Sequence, residues 1–284
     1  MSAGSVIDET TRYSVDQEWV ETTISRRTEL LTSLKRAYLQ HKTLVSQDDE
    51  MWASLNEEHR LPHYMYGGRC AMKLITNALI SADIGIPQTV LDFPCGHGRV
   101  LRFLDAAYPQ AELWAGDVNE GGVRFCADHF RAQPIISQAD LRKVIFPKKF
   151  DLIWCGSLAT HLSVDKVIDL LDVLTDALNP NGILGITTCA RGAMWAQNNV
   201  WEFIHPVRFE TAKRQYDLGG FGYAEYSDGA NYGMTYIDPS WMLRYIYGKQ
   251  DFLLLSLVEK GWHGVQDAYF IMRRPLSHWY ELTD

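Results

Sequence analysis

From about residue 68 onward, short apolar runs alternate with stretches whose apolar residues recur every three or four positions. The runs predict buried strands, and the wider spacing predicts amphipathic helices. Strands that alternate with helices are typical of βαβ units, so the pattern predicts an α/β fold with a parallel sheet and helices on both of its faces. The predicted strands cover residues 89–93, 111–117, 134–137, 151–156, 182–188, 252–262 and 267–274.

The last two predicted strands are joined by a tight connection around His263 and Gly264. A connection this short predicts an antiparallel hairpin, because parallel neighbours need a crossover of about a dozen residues or more. The chain is therefore expected to form a mostly parallel sheet of seven strands, with an antiparallel strand at the end of the sequence.

Residues 1–67 follow a different pattern, which predicts a polar tail and a helical extension. Ser14 and Gln17 have the spacing of a capping box, and a helix is expected after them. The apolar stripe of this helix would pack on the rest of the chain or on a partner chain; its members are Val20, Ile24, Leu31, Leu34 and Tyr38. A second helix is predicted at 68–82, where we place the start of the main domain, residues 68–284.

The composition disfavours several function classes. A net charge of −8 counts against a nucleic-acid-binding protein, because affinity for phosphate backbones depends on clustered Lys and Arg. The five cysteines are odd in number and include no C-x-x-C pair, so they indicate neither a disulfide framework nor a zinc site, and we expect no metal. The polar N-terminal stretch is unlike a signal peptide, and no apolar stretch approaches the roughly 18 residues of a membrane span. These observations predict a soluble, cytoplasmic protein.

The segment VLDFPCGHGRVLRFL, residues 90–104, is an apolar strand that ends in Asp92, turns through Gly96 and Gly98, and continues into a helix. Glycines at these positions let the backbone turn tightly and approach a ligand, close to the amides of the following helix. The dinucleotide-binding form of this motif has a third glycine where this chain has Leu101, which counts against NAD or FAD.

Acidic residues also follow the next predicted strands. Asp117 lies 25 residues after Asp92, where a carboxylate can accept hydrogen bonds from both hydroxyls of a ribose. Asp140 follows the third strand and could meet the amine of an adenine, although either acid could instead cap the helix after it. Because ligands of open α/β sheets bind beyond the carboxyl ends of the strands, these acids predict a nucleoside-binding crevice.

Together these segments resemble the class I, Rossmann-like S-adenosylmethionine-dependent methyltransferases. DFPCGHG resembles the first motif of that family, AGDVNE its ribose-binding acid, and FDLIWCGSLATHL with LNPNGILGIT its later motifs, over about residues 85–190. Pro94 departs from the pattern, because it stands where the family often has its first glycine. LDFPCGHGRVLR, FDLIWCGSLATHL and HGVQDAYF are more loosely similar to bacterial methyltransferases of glycan or specialised small-molecule biosynthesis.

The resemblance implies S-adenosylmethionine as the cofactor and S-adenosylhomocysteine as its product. Arg69 could pair with the cofactor carboxylate or form a surface salt bridge, and Cys155 should contact the cofactor only through its backbone. The implied cofactor site consists of Arg69, Asp92, Pro94, Cys95, Gly96, Gly98, Asp117, Val118, Asp140, Leu141, Cys155 and Gly156.

Three histidines are candidate catalytic bases, because an imidazole titrates near neutral pH. His161 follows the fourth predicted strand, where it could face the methyl group or could instead be a packed residue that fixes the loop. His205 lies among aromatic residues after the fifth strand. His263 lies in the final turn, where a hydrogen bond that stabilises the turn is the alternative role.

Residues 189–250 interrupt the alternation of strands and helices and are rich in Gly and Tyr. Half of the 14 tyrosines fall between Tyr216 and Tyr247, which predicts an insertion that covers the acceptor. The alternative is an aromatic interface of a homodimer. The predicted substrate-binding residues are Tyr223, Tyr226, Asp228 and Tyr232.

The expected reaction is methyl transfer to a small molecule, with a hydroxyl of a sugar, glycan precursor or specialised metabolite as the favoured acceptor. Methylation of nitrogen is an alternative within the same class. Two alternatives from other classes are an NAD(P)-dependent oxidoreductase and a catalytically silent protein that keeps the cofactor-binding scaffold.

Overall fold

The computed structural model describes residues 17–55 and 57–274, so the predicted capping box at Ser14 lies outside the described part of the chain. The helices are α1 (Gln17–Gln40), α2 (Glu50–Ala53), α3 (Arg60–Ser81), α4 (Leu101–Ala107), α5 (Glu120–Phe130), α6 (Val164–Asp176), α7 (Arg191–Asn199), α8 (Pro206–Gly219) and α9 (Pro239–Tyr247). The strands are β1 (Thr89–Asp92), β2 (Glu112–Asp117), β3 (Ala132–Ile136), β4 (Phe150–Cys155), β5 (Leu178–Cys189), β6 (Phe221–Glu225), β7 (Gly233–Ile237), β8 (Phe252–Trp262) and β9 (Gln266–Arg273).

Seven of these strands form one sheet in the order β3-β2-β1-β4-β5-β9-β8. The first five pair in parallel, and β9 is antiparallel to both of its neighbours. The predicted Rossmann-like sheet, mostly parallel with an antiparallel final strand, is therefore confirmed.

Two apolar cores lie on opposite faces of this sheet. Val90 joins the core shared with α3 and α4, whereas its neighbour Leu91 joins the core shared with α6. Successive side chains of a strand point to opposite faces, so a strand covered on both sides is apolar at every position rather than at alternate ones. This burial on both faces explains the continuous apolar runs of the sequence.

The N-terminal extension packs on the same core as the sheet. Leu30 and Ala37 of α1 are buried, but Ile24 and Leu31 of the predicted stripe are exposed. The predicted stripe was therefore wrong at these two positions, because α1 approaches its neighbours through small side chains such as Ser33 and Ala37. Helix α3 begins eight residues earlier than predicted, so a domain boundary at residues 67 and 68 would lie within a continuous helix.

The insertion between β5 and β8 contains α7, α8, α9 and a separate antiparallel pair, β6 with β7. Buried aromatic residues hold it together: Phe209 of α8 packs edge to face on Tyr236 of β7, with ring centroids 5.6 Å apart. Within the described residues, no helix has both the length and the apolar character needed to cross a membrane.

Candidate active site

A cavity of about 840 Å³ opens beyond the carboxyl ends of β1, β2 and β4. Parallel strands end at the same edge of a sheet, so residues that are distant in sequence meet there. The predicted site residues that line the cavity are Asp92, Pro94, Cys95, Gly96, Asp117, Val118, Leu141, Gly156, His161, Tyr226 and Tyr232.

The turn after β1 is shaped by two glycines with positive φ angles, +49° at Gly96 and +75° at Gly98. A Cβ atom at Gly98 would lie 2.5 Å from a ring carbon of Phe130, whereas one at Gly96 would meet nothing within 4 Å. Gly98 does not line the cavity, contrary to its predicted contact, because it faces the packed side of the turn. Its absent side chain allows Phe130 to approach the turn, and Gly96 leaves the cavity open.

Two carboxylates stand at the ends of β1 and β2. Asp117 accepts hydrogen bonds from the backbone amides of Gly96 at 2.8 Å and Asn119 at 2.9 Å. Asp92 is 2% exposed, and its Oδ2 has no hydrogen-bond partner among the described residues. Burial, and to a lesser extent the nearby Asp117, raise the pKa of Asp92 well above its usual range. A buried acceptor of this kind favours a cationic donor in the cavity.

Arg99 brings a guanidinium to the same end of the cavity. It lies over the ring of Trp262, with its central carbon 5.2 Å from the ring centroid, and makes no ion pair with the described residues. Burial lowers the pKa of Arg99 from its ordinary value. Arg69, which was predicted to meet a cofactor carboxylate, is instead exposed on α3 outside the cavity. The helical rotation between Gly68 and Arg69 accounts for this, because Gly68 occupies the buried face of α3.

The wall beyond β2 and β3 is formed by Val118, Ser137 and Leu141. The Oγ of Ser137 is buried and lacks a partner within the described residues. Asp140, predicted to reach adenine, lies outside the cavity; it accepts a hydrogen bond from the amide of Arg142 at 3.3 Å and pairs with Lys143 at 3.2 Å. Asp140 therefore caps the short turn after β3, which is the alternative considered from the sequence.

Beyond β4, Gly156 lines the cavity and has no space for a Cβ atom, which would lie 2.8 Å from Trp262 and 2.9 Å from Trp154. Cys155 is buried within β4 and does not line the cavity. Burial raises the pKa of its thiol, so this cysteine stays neutral.

His161 lies where the sheet meets the insertion. Its Nδ1 is 2.9 Å from the carbonyl oxygen of Gly233 and 2.9 Å from the hydroxyl of Tyr226, and its ring stacks on Tyr232 with centroids 4.8 Å apart. A carbonyl only accepts hydrogen bonds, so the contact with Gly233 requires the proton on Nδ1 and leaves Nε2 as an acceptor. Desolvation lowers the pKa of His161, which favours the neutral imidazole.

The two other candidate bases lie outside this cavity. His205 caps α8, where its Nδ1 accepts from the amide of Val207 at 3.4 Å, and it is exposed. His263 occupies the turn between β8 and β9 with φ +51° and packs against Gly67. Burial and the nearby Arg99 lower the pKa of His263 to about 3. The cap and the turn hold these two imidazoles away from the cavity.

Two of the four predicted substrate-binding residues also lie elsewhere. Tyr223 lies on β6 and does not reach the cavity. Asp228 is almost fully exposed and pairs with Arg208 at 2.7 Å. Their neighbours Tyr226 and Tyr232 do line the cavity, because the loop between β6 and β7 folds over His161.

Comparison with known proteins agrees with the fold. Residues 90–182 match the model of a methyltransferase domain. Malonyl-[acyl-carrier protein] O-methyltransferase from Anoxybacillus flavithermus is 33% identical over 95 residues, which are 33% of this chain and only 37% of that protein.

Two solved structures share the fold at 14% sequence identity. An S-adenosylmethionine-dependent methyltransferase from Clostridium acetobutylicum has a TM-score of 0.51 over 80% of this chain and 96% of its own. The plantazolicin methyltransferase BpumL, in a complex with S-adenosylhomocysteine and a monoazolic desmethylPZN analogue, has a TM-score of 0.53 over 90% of this chain and 98% of its own. The chain thus has the fold of these methyltransferases, and its residues 90–182 match a methyltransferase domain.

Several residues that line the cavity could not be identified as site residues from the sequence. Arg99 directly follows the glycine turn and lies two residues before α4, and this position was a local signal for a cavity contact. Asp49, Glu50 and Met51 also line the cavity, around the start of α2 in the N-terminal extension, yet no local motif marks them. They reach the site through tertiary packing: the hydroxyl of Tyr64 donates to Asp49 and fixes the loop.

Proposed function

We propose that this protein transfers a methyl group from S-adenosylmethionine to a small-molecule acceptor. The observation that carries the proposal is the unpaired, buried Oδ2 of Asp92 beside Asp117 and the glycine turn, in a domain that matches methyltransferases. An orphaned carboxylate oxygen fits the ammonium group of this cofactor, because it offers an acceptor that the protein itself leaves unsatisfied.

The other residues fit the remaining parts of the cofactor. The Arg99 guanidinium suits the methionine carboxylate, since it has no ion-pair partner among the described residues. Asp117 suits the ribose hydroxyls, and Val118, Leu141 and Ser137 line the region left for the adenine. The volume of about 840 Å³ lies in the range of ligand pockets, roughly 300 to 1,000 Å³.

When bound, S-adenosylmethionine supplies an electrophilic methyl group on a sulfonium. The cavity contributes orientation of the two reactants, which can reduce a barrier by about 7 to 11 kcal/mol at most. His161 is the proposed base: its Nε2 accepts the proton of an acceptor hydroxyl while Nδ1 donates to Gly233. A positioned base contributes on the order of 10² to 10⁴ in rate.

We further propose that the acceptor is a hydroxyl compound such as a sugar or a specialised metabolite. Aromatic rings of the insertion support this, because Tyr226, Tyr232 and Phe203 face the cavity and offer flat amphipathic contacts. The insertion, residues 189–250 in our division of the chain, is thus the proposed acceptor-binding part.

Transfer of tritium from methyl-labelled S-adenosylmethionine tests the proposal. Sugars, nucleotide sugars, phenols and hydroxy acids would be incubated with the purified protein, and labelled product would be separated from cofactor. The proposal expects labelled product with at least one class, and much less product with Asp117→Ala at a cofactor concentration that does not saturate the variant. A protein that neither binds S-adenosylhomocysteine nor transfers label from the methyl donor would refute it.

A further inference from the structure

Lys166 lies at the acceptor end of the cavity, and its side chain is a cation that pairs with no carboxylate among the described residues. Lys166 lies in the first turn of α6, is half-buried and lines the cavity. Its Nζ donates to the carbonyl oxygen of Asn231 at 3.1 Å, and no ion pair joins it to any residue that the structure describes. A lysine ammonium has three donors, so one contact with a neutral carbonyl leaves two of them available to a ligand.

The position of Lys166 relative to His161 gives this cation a role. Asn231, which binds Lys166, and Gly233, which binds His161, are two residues apart on the loop that leads into β7. One short segment therefore contacts both the ammonium and the proposed base, and both line the same cavity. An acceptor whose hydroxyl reaches Nε2 of His161 brings its neighbouring substituents close to Lys166.

The carboxylates that line the cavity leave this cation unneutralised. Asp117 is bound by two backbone amides, and Asp49 is bound by Tyr64 and caps α2. Asp92 is buried at the end of β1, beside Asp117. Glu50 lies near Tyr232 and makes no ion pair with Lys166. None of these four carboxylates makes an ion pair with Lys166.

We propose that the acceptor carries an anionic group, a carboxylate or a phosphate, which binds Lys166 next to the atom that His161 deprotonates. The inference rests on the proposed function, because it assigns the substrate class of that same site. A charge-assisted hydrogen bond in a partly desolvated pocket strengthens binding by about 10- to 100-fold over an uncharged group.

Binding to protein saturated with S-adenosylhomocysteine tests the inference without knowledge of the natural acceptor. The probes are matched pairs: 4-hydroxybenzoate with 4-hydroxybenzamide, glucuronate with glucose, and glucose 6-phosphate with glucose. Their dissociation constants would be measured by ligand-observed NMR for the wild type, Lys166→Met, Lys166→Arg and Lys73→Met. Lys73 is exposed on α3, away from the cavity, and serves as the matched control.

In the wild type and in Lys73→Met, at least one anionic probe is expected to bind about 10- to 100-fold more tightly than its uncharged partner. Lys166→Met should remove this preference with unchanged affinity for S-adenosylhomocysteine, and Lys166→Arg should keep most of it. The carboxylate and phosphate pairs show which anion the site prefers.

The inference would be overturned if no anionic probe binds better than its uncharged partner, or if the preference for the anionic probe survives in Lys166→Met. An equal loss for both members of a pair would also overturn it, because it would show that Lys166 only positions the loop at Asn231. Failure of the proposed function is seen separately, as absence of S-adenosylhomocysteine binding by the wild type.

Discussion

The two ends of the cavity are built by different parts of the molecule. At the cofactor end, Asp92 and Asp117 follow directly from consecutive strands of the parallel sheet. At the acceptor end, His161 is held by Gly233, which lies 72 residues away in the insertion. One end thus depends on strand order, and the other on the long-range packing of the insertion against the sheet. Changes at the first end should alter cofactor affinity, and changes at the second should alter turnover.

His161→Gln is expected to separate the effect on turnover from the effect on cofactor affinity most clearly. Loss of the proposed base should lower kcat by about 10²- to 10⁴-fold, with the affinity for S-adenosylhomocysteine changed less than about threefold. Labelled methyl transfer and calorimetry measure the two effects on one preparation. A fall in cofactor affinity as large as the fall in kcat would show that His161 also supports cofactor binding, and it would contradict the separate roles of the two ends.

The pH dependence of kcat in the same reaction tests the assignment of His161 as the base. Desolvation lowers the pKa of His161, so the neutral base persists below the ordinary titration point of histidine near 6.5. The acid limb of kcat should therefore lie below pH 6.5 and disappear in His161→Gln. An acid limb above that pH would assign the titration to another group.

Two substitutions in the glycine turn test the cofactor end by itself. Gly98→Ala adds strain at positive φ and a clash with Phe130, and should lower the free energy of unfolding by about 2 to 5 kcal/mol. Gly96→Ala faces open space and should cost only about 1 to 2 kcal/mol, from backbone strain. Urea unfolding of both variants without ligand measures the difference, and equal losses would contradict the packing assigned to Gly98.

His263 lies outside both ends of the cavity, and the pH dependence of the stability tests its burial. The pKa of His263 is lowered to about 3 in the folded protein, so the unfolded chain binds its proton first as the pH falls. This histidine should therefore remove up to about 2 kcal/mol of stability between pH 8 and pH 5. In His263→Asn, which suits the positive φ, the unfolding midpoint should fall less over that range. Parallel pH curves for the two proteins would refute the burial of this imidazole.

The smallest effect is expected for Tyr226→Phe. The hydroxyl of Tyr226 lies 2.9 Å from Nδ1 of His161, where Gly233 already supplies a partner. Loss of one neutral hydrogen bond of about 0.5 to 1.5 kcal/mol should lower kcat by no more than about tenfold. A loss as large as that of His161→Gln would mean that the phenol itself takes part in proton transfer.

The difference between the cofactor end and the acceptor end also explains which site residues could be predicted from the sequence. Asp92, Gly96 and Asp117 were identifiable because strand ends and glycine turns are local signals, and all three line the cavity. Arg69 and Asp140 were misplaced because the direction of a side chain depends on helix rotation and capping. Lys166 lies in an ordinary helical pattern, and only the folded insertion brings Asn231 against it.

Calorimetric titration of S-adenosylhomocysteine into the wild type, Asp117→Ala and Asp140→Ala tests the central claim most directly. Binding by the wild type is expected. Asp117→Ala should lose about 100-fold or more in affinity, because its carboxylate no longer accepts hydrogen bonds from the two ribose hydroxyls, and Asp140→Ala should change the affinity by less than about threefold. Unchanged affinity in Asp117→Ala, or no binding by the wild type, would contradict the assignment of this crevice to the cofactor.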